Sequence, residues 1–200
     1  METFIQHARG LTARIAAQRE EQETFGRLAA GQSPLALFIT CSDSRVIPSL
    51  ITGARPGELF ELRTAGNAVP AYQEGMAASS EAATIEYAMR VLKVADVVVC
   101  GHSHCGAVGA RARREDLTGA PAVRDWLALQ LSDELPGDDG PAVTAAVQRH
   151  VRQQLDRLGD YPCVRERLDA DEVRLHGWFY EVHTGSVSVH RPTTDAFLPL

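Results

Sequence analysis

A β-branched run that ends in a histidine and a cysteine constrains the fold of this chain more than any other stretch. Residues 97–99 are three consecutive valines, which is the pattern of a buried strand. Gly101 follows, and His102 and Cys105 then come three positions apart. Both side chains are zinc ligand types, and this spacing lets a single turn present them to one ion.

A second strand-like run ends in the same way. Residues 35–40 are mostly apolar, and Cys41 follows them directly, with Asp43 and Arg45 just beyond. Two such strands side by side in a parallel sheet would bring Cys41 to the histidine and cysteine of the first run. The sequence therefore predicts a site of two cysteines and one histidine, with one zinc position left for water or a carboxylate.

Length, charge and cysteine usage limit the class of protein. A chain of 200 residues can bury a substantial core, and its formal net charge of −6 argues against a nucleic-acid partner. No apolar run approaches the roughly 20 residues that span a bilayer, and no signal-peptide pattern is visible. We therefore expect a cytoplasmic protein with no membrane partner. Thiols stay reduced there, which favours metal ligation over disulfides and leaves Cys100 and Cys163 as core residues.

Strands alternate with helices, which predicts an α/β fold with a mainly parallel central sheet of four to five strands flanked by helices. The predicted strands are residues 35–40, 57–63, 95–100, 172–181 and, after a hairpin-like turn, 187–189. The predicted helices are residues 75–93, 104–114, 121–132 and 141–169, with a loop at 136–140. No linker divides residues 1–200, so they form a single domain. Both chemical clusters follow strands, where open α/β sheets bind ligands.

The first 30 residues predict a helical arm. Leu11, Ile15, Phe25 and Leu28 give it an apolar face, but that face is sparse. An isolated helix of this kind is not stable in water, so we expect it to pack on another surface. One candidate for that surface is a partner subunit.

Asp43 and Arg45 lie two residues apart, so one loop can aim both side chains inward. The plain interpretation is a two-point ion pair. The functional interpretation starts from zinc, which lowers the pKa of bound water to about 7 and so provides hydroxide. Arg45 then holds Asp43 away from the metal and orients it to accept a hydrogen bond from that hydroxide. Without the restraint, Asp43 would occupy the fourth zinc position itself.

These residues resemble the β-class carbonic anhydrases. The likeness begins with the two zinc motifs, residues 41–45 and 102–105, which are highly specific. Further stretches that look like the family are residues 31–34, 63–67, 80–88 and 176–180. The resemblance covers roughly residues 25–190, which is most of the chain.

The resemblance implies a lyase, carbonic anhydrase (carbonate dehydratase), that reversibly hydrates carbon dioxide to bicarbonate and a proton by zinc-bound hydroxide. It assigns Zn²⁺ to Cys41, His102 and Cys105, and a catalytic dyad to Asp43 and Arg45. It implies a homodimer or a dimer of dimers in which residues 1–30 embrace the partner. The residues it assigns to substrate binding are Gln32, Phe60 and Tyr87, contributed by the facing subunit, and the Gly106 backbone amide.

One departure from the family concerns regulation. A branch of the family binds regulatory bicarbonate with a tryptophan, an arginine and a tyrosine, and Phe38 stands where that tryptophan is expected. Arg63 and Tyr180 remain candidates for the other two positions. Phenylalanine has no indole N–H to donate, so we expect the regulatory site to be absent.

Two alternative functions are compatible with the same zinc motifs. The same zinc site in a relative can hydrolyse carbonyl sulfide or carbon disulfide, and a non-catalytic zinc protein in a bicarbonate-handling complex is a second alternative. Retention of Asp43, Arg45 and Gln32 argues against that second alternative, because a structural zinc site needs none of them. Trp126 is expected to serve packing. The histidines without a surrounding motif are expected at the surface: His7, His150, His183 and His190.

Overall fold

A computed structural model describes residues 1–74, 79–133, 135 and 143–200. The α-helices are α1 (Glu2–Ala16), α2 (Arg19–Leu28), α3 (Pro48–Thr52), α4 (Ser80–Glu86), α5 (Gly106–Ala112), α6 (Pro121–Gln130), α7 (Thr144–Gly159) and α8 (Pro162–Asp169). The strands are β1 (Ala36–Cys41), β2 (Leu59–Thr64), β3 (Asp96–His102), β4 (Arg174–Tyr180), β5 (Val187–Arg191) and β6 (Ala196–Pro199). A 3-10 turn spans Ala65–Asn67, and a π-helical segment spans Tyr87–Leu92.

The strands form one six-stranded sheet in the order β2-β1-β3-β4-β5-β6. β1 pairs in parallel with β2 and β3, and β3 pairs in parallel with β4. β5 and β6 extend the sheet antiparallel. The prediction of a mainly parallel α/β sheet is confirmed, but its count of four to five strands is wrong, because β6 was not predicted. Only four residues separate that short strand, residues 196–199, from the end of β5, and it offers little alternation to detect.

β1 and β3 are the inner strands of the parallel part of the sheet, and both are covered on both faces. Every residue of β1 is buried, as are six of the seven in β3. Continuous apolar runs of this kind are typical of parallel strands packed on both sides. β2 lies on one side of β1, and β3 lies on the other side. The order in which strands are added to the sheet therefore reverses between β1 and β3. That is where open α/β sheets bind their ligands.

Helix α7 packs closely on the sheet through two glycines. A Cβ atom added at Gly101 would lie 2.5 Å from a methyl group of Val147, and one added at Gly177 would lie 3.0 Å from Leu155. Any side chain at these strand positions would push the helix outward. The two glycines therefore set how near α7 comes to β3 and β4.

Several predicted helices differ from the observed ones in their bounds. The single helix predicted over 141–169 is observed as two, α7 and α8, because Pro162 begins α8 and lacks the N–H to continue α7. The helix predicted over 75–93 starts at Ser80 and widens to a π-helix at Tyr87. Its residues 75–78, the start of the helix predicted at 141–142, and the loop predicted at 136–140 lie outside the described residues. The prediction of helix through residues 1–30 holds for α1 and α2.

The helical arm formed by α1 and α2 buries none of its own side chains. Phe4 is 72% exposed, and Leu11 and Phe25 are also exposed. An ion pair between Glu20 and Arg55 ties the arm to the rest of the chain at 3.0 Å. None of the helices in the described residues is long and apolar enough to cross a membrane.

Candidate metal centre

Three buried side chains converge where β1 and β3 end. Cys41 is the last residue of β1, His102 the last of β3, and Cys105 comes just before α5. Their ligand atoms all lie within 4.8 Å of one another. The positive φ of 59° at His104 lets the chain turn back sharply enough to bring Cys105 beside His102. The cluster expected from the two strand ends is therefore formed.

The hydrogen bonding of His102 leaves one ring nitrogen free for a metal. Nδ1 lies 2.9 Å from the Ser103 carbonyl oxygen, which can only accept, so Nδ1 carries the proton. Nε2 is then the lone-pair atom, and it is buried without a hydrogen-bond partner among the described residues. An orphaned nitrogen beside two thiols is the donor set that zinc selects. The three residues therefore fit a zinc ion.

The two thiols of the cluster have opposite pKa shifts. A hydrogen bond from Cys105 is the main cause that lowers the pKa of Cys41, and the backbone amides of Asp43 and Gly66 also contribute against the effect of burial. The same contact with Cys41, together with burial, raises the pKa of Cys105. The pair thus holds one thiolate and one proton, and binding a metal releases that proton. Cys100, which is fully buried nearby, has its pKa raised by burial to about 12 and stays a thiol.

Asp43 and Arg45 form the predicted two-point ion pair. Nε of Arg45 donates to Oδ1 of Asp43 at 2.9 Å, and Nη2 donates to Oδ2 at 2.7 Å. The same Nη2 donates to the carbonyl oxygen of His104 at 3.0 Å, which joins the loop after β1 to the loop after β3. Hydrogen bonds from Arg45 hold the pKa of the Asp43 carboxyl well below its usual range. Asp43 is therefore an acceptor-only carboxylate at neutral pH.

Arg63 fixes the loop that carries this pair. Its guanidinium donates to the carbonyl oxygens of Cys41, Asp43 and Val46 at 2.8–2.9 Å. The side chain is thus held by hydrogen bonds to the backbone of the loop.

Phe38 is fully buried, and its ring packs edge-on against Trp178 with the ring centroids 5.9 Å apart.

The residues assigned to substrate binding are only partly brought together within one chain. Phe60 and Tyr87 are neighbours, with ring centroids 5.8 Å apart, and Tyr87 is 43% exposed. Gly106 is the first residue of α5 and directly follows the ligand Cys105. Gln32 is exposed and lines a surface cavity beside Arg55, and none of the three metal ligands lines that cavity.

Two side chains that support the site were assigned other roles from the sequence. His150 was expected at the surface, but it is fully buried on α7, and its Nε2 lies 2.8 Å from the Gly66 carbonyl oxygen. Trp126 does more than pack, since its indole N–H donates to the Ala65 carbonyl at 3.0 Å. The available signal was the i, i+4 pair of His150 and Gln154 on an otherwise apolar helix face. The predictions that Cys100 and Cys163 are core residues are confirmed.

Comparison with known proteins identifies this α/β metal site. A sequence profile described as carbonic anhydrase matches residues 36–187. Carbonic anhydrase of Pseudomonas aeruginosa is 42% identical over 185 residues, covering 89% of this chain and 83% of that protein. Carbonic anhydrase 1 of Escherichia coli O157:H7 is 41% identical, with 90% and 84% covered. The chain belongs to the carbonic anhydrase family, in its β class.

Solved structures agree with this family assignment. The β-carbonic anhydrase CcaA superimposes with a TM-score of 0.89 at 35% identity, covering 100% of this chain and 99% of that one. A structure from a study of two tetrameric β-carbonic anhydrases of Sordaria macrospora gives a TM-score of 0.80 at 28% identity, with 94% and 97% covered. The resemblance stated from the sequence motifs is confirmed over most of the chain.

Proposed function

We propose that this chain catalyses the reversible hydration of carbon dioxide to bicarbonate and a proton at a zinc site formed by Cys41, His102 and Cys105. The observation that carries the proposal is the meeting of these three buried donors within 4.8 Å, beside the ion pair of Asp43 and Arg45. Zinc with three protein ligands keeps a fourth position open and lowers the pKa of a water bound there to about 7.

Asp43 is the residue we assign to orient the nucleophile. Its Oδ2 lies 3.9 Å from Nε2 of His102, so the carboxylate faces the atom that would bind the metal. As an ionised carboxylate it only accepts hydrogen bonds, and it can therefore fix the direction of an O–H group at the open position. Arg45 holds both of its oxygens and keeps the carboxylate itself from taking that position.

The substrate surface we propose combines an apolar wall with one donor. Carbon dioxide has no charge, and the rings of Phe60 and Tyr87 offer it a surface that water does not compete for strongly. Gly106 begins α5, and the first N–H groups of a helix have no partner within the helix. Its amide is then available to a substrate oxygen. Phe60 and Tyr87, together with Gln32, would come from the facing subunit.

We propose a homodimer, or a dimer of dimers, as the working assembly. The arm formed by α1 and α2 buries no residue within its own chain, and helices of this length are marginal without packing. Gln32 lies just after α2 and apart from the metal ligands of its own chain, which fits a role in the partner's site. Structural relatives from Sordaria macrospora are described as tetrameric.

The proposed compartment is the cytoplasm. All four cysteines are free and buried, and two of them are metal ligands that must stay reduced.

Stopped-flow measurement of carbon dioxide hydration tests the proposed function. The zinc-loaded protein should accelerate hydration, the protein treated with a chelator should not, and added zinc should restore the rate. A zinc-loaded protein that binds the metal fully and leaves the hydration rate at the buffer value would refute the proposal. Assays with carbonyl sulfide and carbon disulfide on the same sample would then identify the substrate.

A further inference from the structure

The 3-10 turn at residues 65–67 brings a backbone amide to one of the metal-binding sulfurs. The N–H of Gly66 donates to Sγ of Cys41, with nitrogen and sulfur 3.4 Å apart. Gly66 has a φ of 76°, and an added Cβ would lie 3.2 Å from the Cβ of Ala107. Both the backbone conformation and the close approach therefore require glycine here. Where this amide points depends on the contacts that hold the turn.

His150 holds the turn from the other side of Gly66. Nε2 of His150 lies 2.8 Å from the Gly66 carbonyl oxygen. Gly66 is therefore hydrogen-bonded to the Cys41 sulfur through its N–H and to the imidazole through its C=O. The imidazole is fully buried, and burial lowers the pKa of His150 to about 4. His150 is therefore neutral at physiological pH and carries one ring proton.

A chain of hydrogen bonds determines which ring nitrogen of His150 carries that proton. The N–H of Val69 donates to Oε1 of Gln154 at 2.7 Å, which fixes the orientation of the side-chain amide. Nε2 of Gln154 then faces Nδ1 of His150 at 3.3 Å and donates to it. Since Nδ1 accepts, Nε2 is protonated and donates to Gly66. Every member of this buried series has its partner.

Close packing makes this contact possible. Gly101 and Gly177 let α7 approach the sheet, and His150 lies between Val147 and Val151, whose methyl groups would collide with a Cβ at Gly101. The imidazole is thereby held at a fixed distance from the turn.

We infer that His150 is a positioning residue for the metal centre, acting through Gly66 to maintain the N–H···S hydrogen bond to Cys41. The inference rests on the proposed function, in that Cys41 must be a metal ligand. A hydrogen bond to a thiolate stabilises its lone pairs, which raises the energy of sulfur-to-metal charge transfer, and it holds the sulfur oriented towards the metal position. Partners outside the ligand set typically change metal affinity by about 10–100-fold, and His150 acts one bond further out. We therefore expect about a tenfold loss of zinc affinity without it.

Cobalt(II) substitution tests this inference, because the sulfur-to-cobalt charge-transfer band reports the electron density on the thiolates. His150→Leu removes the donor at similar volume, and His150→Met does so with a more adaptable side chain if the leucine variant does not fold. His150→Gln places an amide donor near the former Nε2 position. Leu158→Ala is the matched control, since it removes a fully buried side chain from the same helix, two turns away from His150, and leaves the Gly66 contact in place.

The expected result is a charge-transfer band shifted to longer wavelength in H150L or H150M, with about a tenfold weaker zinc affinity in competition with a chelator. H150Q should restore both values, and L158A should match the wild type in both. A band and an affinity in the apolar variants equal to those of L158A would overturn the inference. A wild-type cobalt protein without any thiolate band would instead refute the ligand assignment in the proposed function.

Discussion

The guanidinium of Arg45 binds both carboxylate oxygens of Asp43 while Oδ2 of that carboxylate lies 3.9 Å from Nε2 of His102. One aspartate is thus within reach of the metal position and is restrained from entering it. Asp43 is the less exposed residue of the pair, since 16% of its side chain is accessible to solvent and 51% of the Arg45 side chain is. We therefore propose that the pair orients the nucleophile more than it stabilises the fold, since partly exposed ion pairs contribute only about 0–1 kcal/mol.

Arg45→Ala should retain zinc and lose most activity. Without the guanidinium, Asp43 can turn towards the metal and take the open position. We expect carbon dioxide hydration to fall by about 10²-fold or more, the range seen when a positioned catalytic contact is removed. Stopped-flow rates and zinc content measured on the same sample check this. Arg165→Ala, which breaks an exposed ion pair with Asp160, is the control and should leave both unchanged. A wild-type rate in R45A would contradict the assigned role.

Cys41→Ser should lose both the metal and the activity. The serine hydroxyl is neutral at physiological pH, and it replaces a thiolate ligand. Cys100→Ala is the control, because it removes a neighbouring thiol whose pKa is raised to about 12 and which is not part of the metal-binding cluster found in the described residues. Elemental analysis should therefore give about one zinc per chain in C100A and almost none in C41S. Full zinc occupancy in C41S would show that the ligand assignment is wrong.

Replacing exposed apolar residues of the arm should weaken the assembly and the activity together. Phe4 is 72% exposed and Leu11 is 44% exposed. The double variant F4A/L11A therefore removes apolar surface that the rest of its own chain leaves uncovered and that a partner subunit would cover. Leu129→Ala is the matched control, because Leu129 on α6 is 73% exposed. Sedimentation velocity and hydration rates measured across a dilution series check this. A wild-type protein that sediments as a fully active monomer would contradict the proposed assembly.

The buried imidazole of His150 should make stability fall on acidification. Burial lowers its pKa to about 4 in the folded protein, against 6.5 for an ordinary histidine. Between these values the unfolded chain binds a proton that the folded chain does not, so the free energy of unfolding decreases as pH falls through this window. The loss is about 1.4 kcal/mol per pH unit, or about 3 kcal/mol in all.

Urea unfolding of the wild type and H150Q between pH 8 and pH 4 measures this effect. Glutamine does not titrate, so the wild type should lose about 3 kcal/mol more than H150Q over the range. Protonation of the other groups occurs in both proteins and cancels in the difference. Parallel curves for the two proteins would show that His150 does not titrate in the expected way.

The centre of the sheet and the metal ligands were predictable because several local patterns agree there. Residues 35–40 and 97–99 are continuous apolar runs, and each is followed within a few residues by metal-binding or charged side chains. A parallel sheet brings such ends together without any further information. The spacing of His102 and Cys105 then leaves little choice of chemistry.

The features that sequence reasoning missed depend on contacts between distant segments. His150 is 84 residues from Gly66, and the apolar helix face that it shares with Gln154 does not reveal which distant backbone group the imidazole contacts. Its burial follows from the approach of α7 to Gly101, which only the folded chain displays. The short strand β6 is fixed by pairing with β5 and has little pattern of its own. The role of Arg63 is likewise set by three backbone carbonyls brought near it.

A crystal structure of the zinc-loaded wild type above pH 8 distinguishes an open metal site from one closed by Asp43. We expect one zinc ion bound by Cys41, His102 and Cys105, with a solvent oxygen as the fourth ligand and Asp43 still paired with Arg45. An Asp43 oxygen at about 2.0–2.2 Å from the zinc, the usual Zn–O bond length, or a zinc ion bound elsewhere, would contradict it.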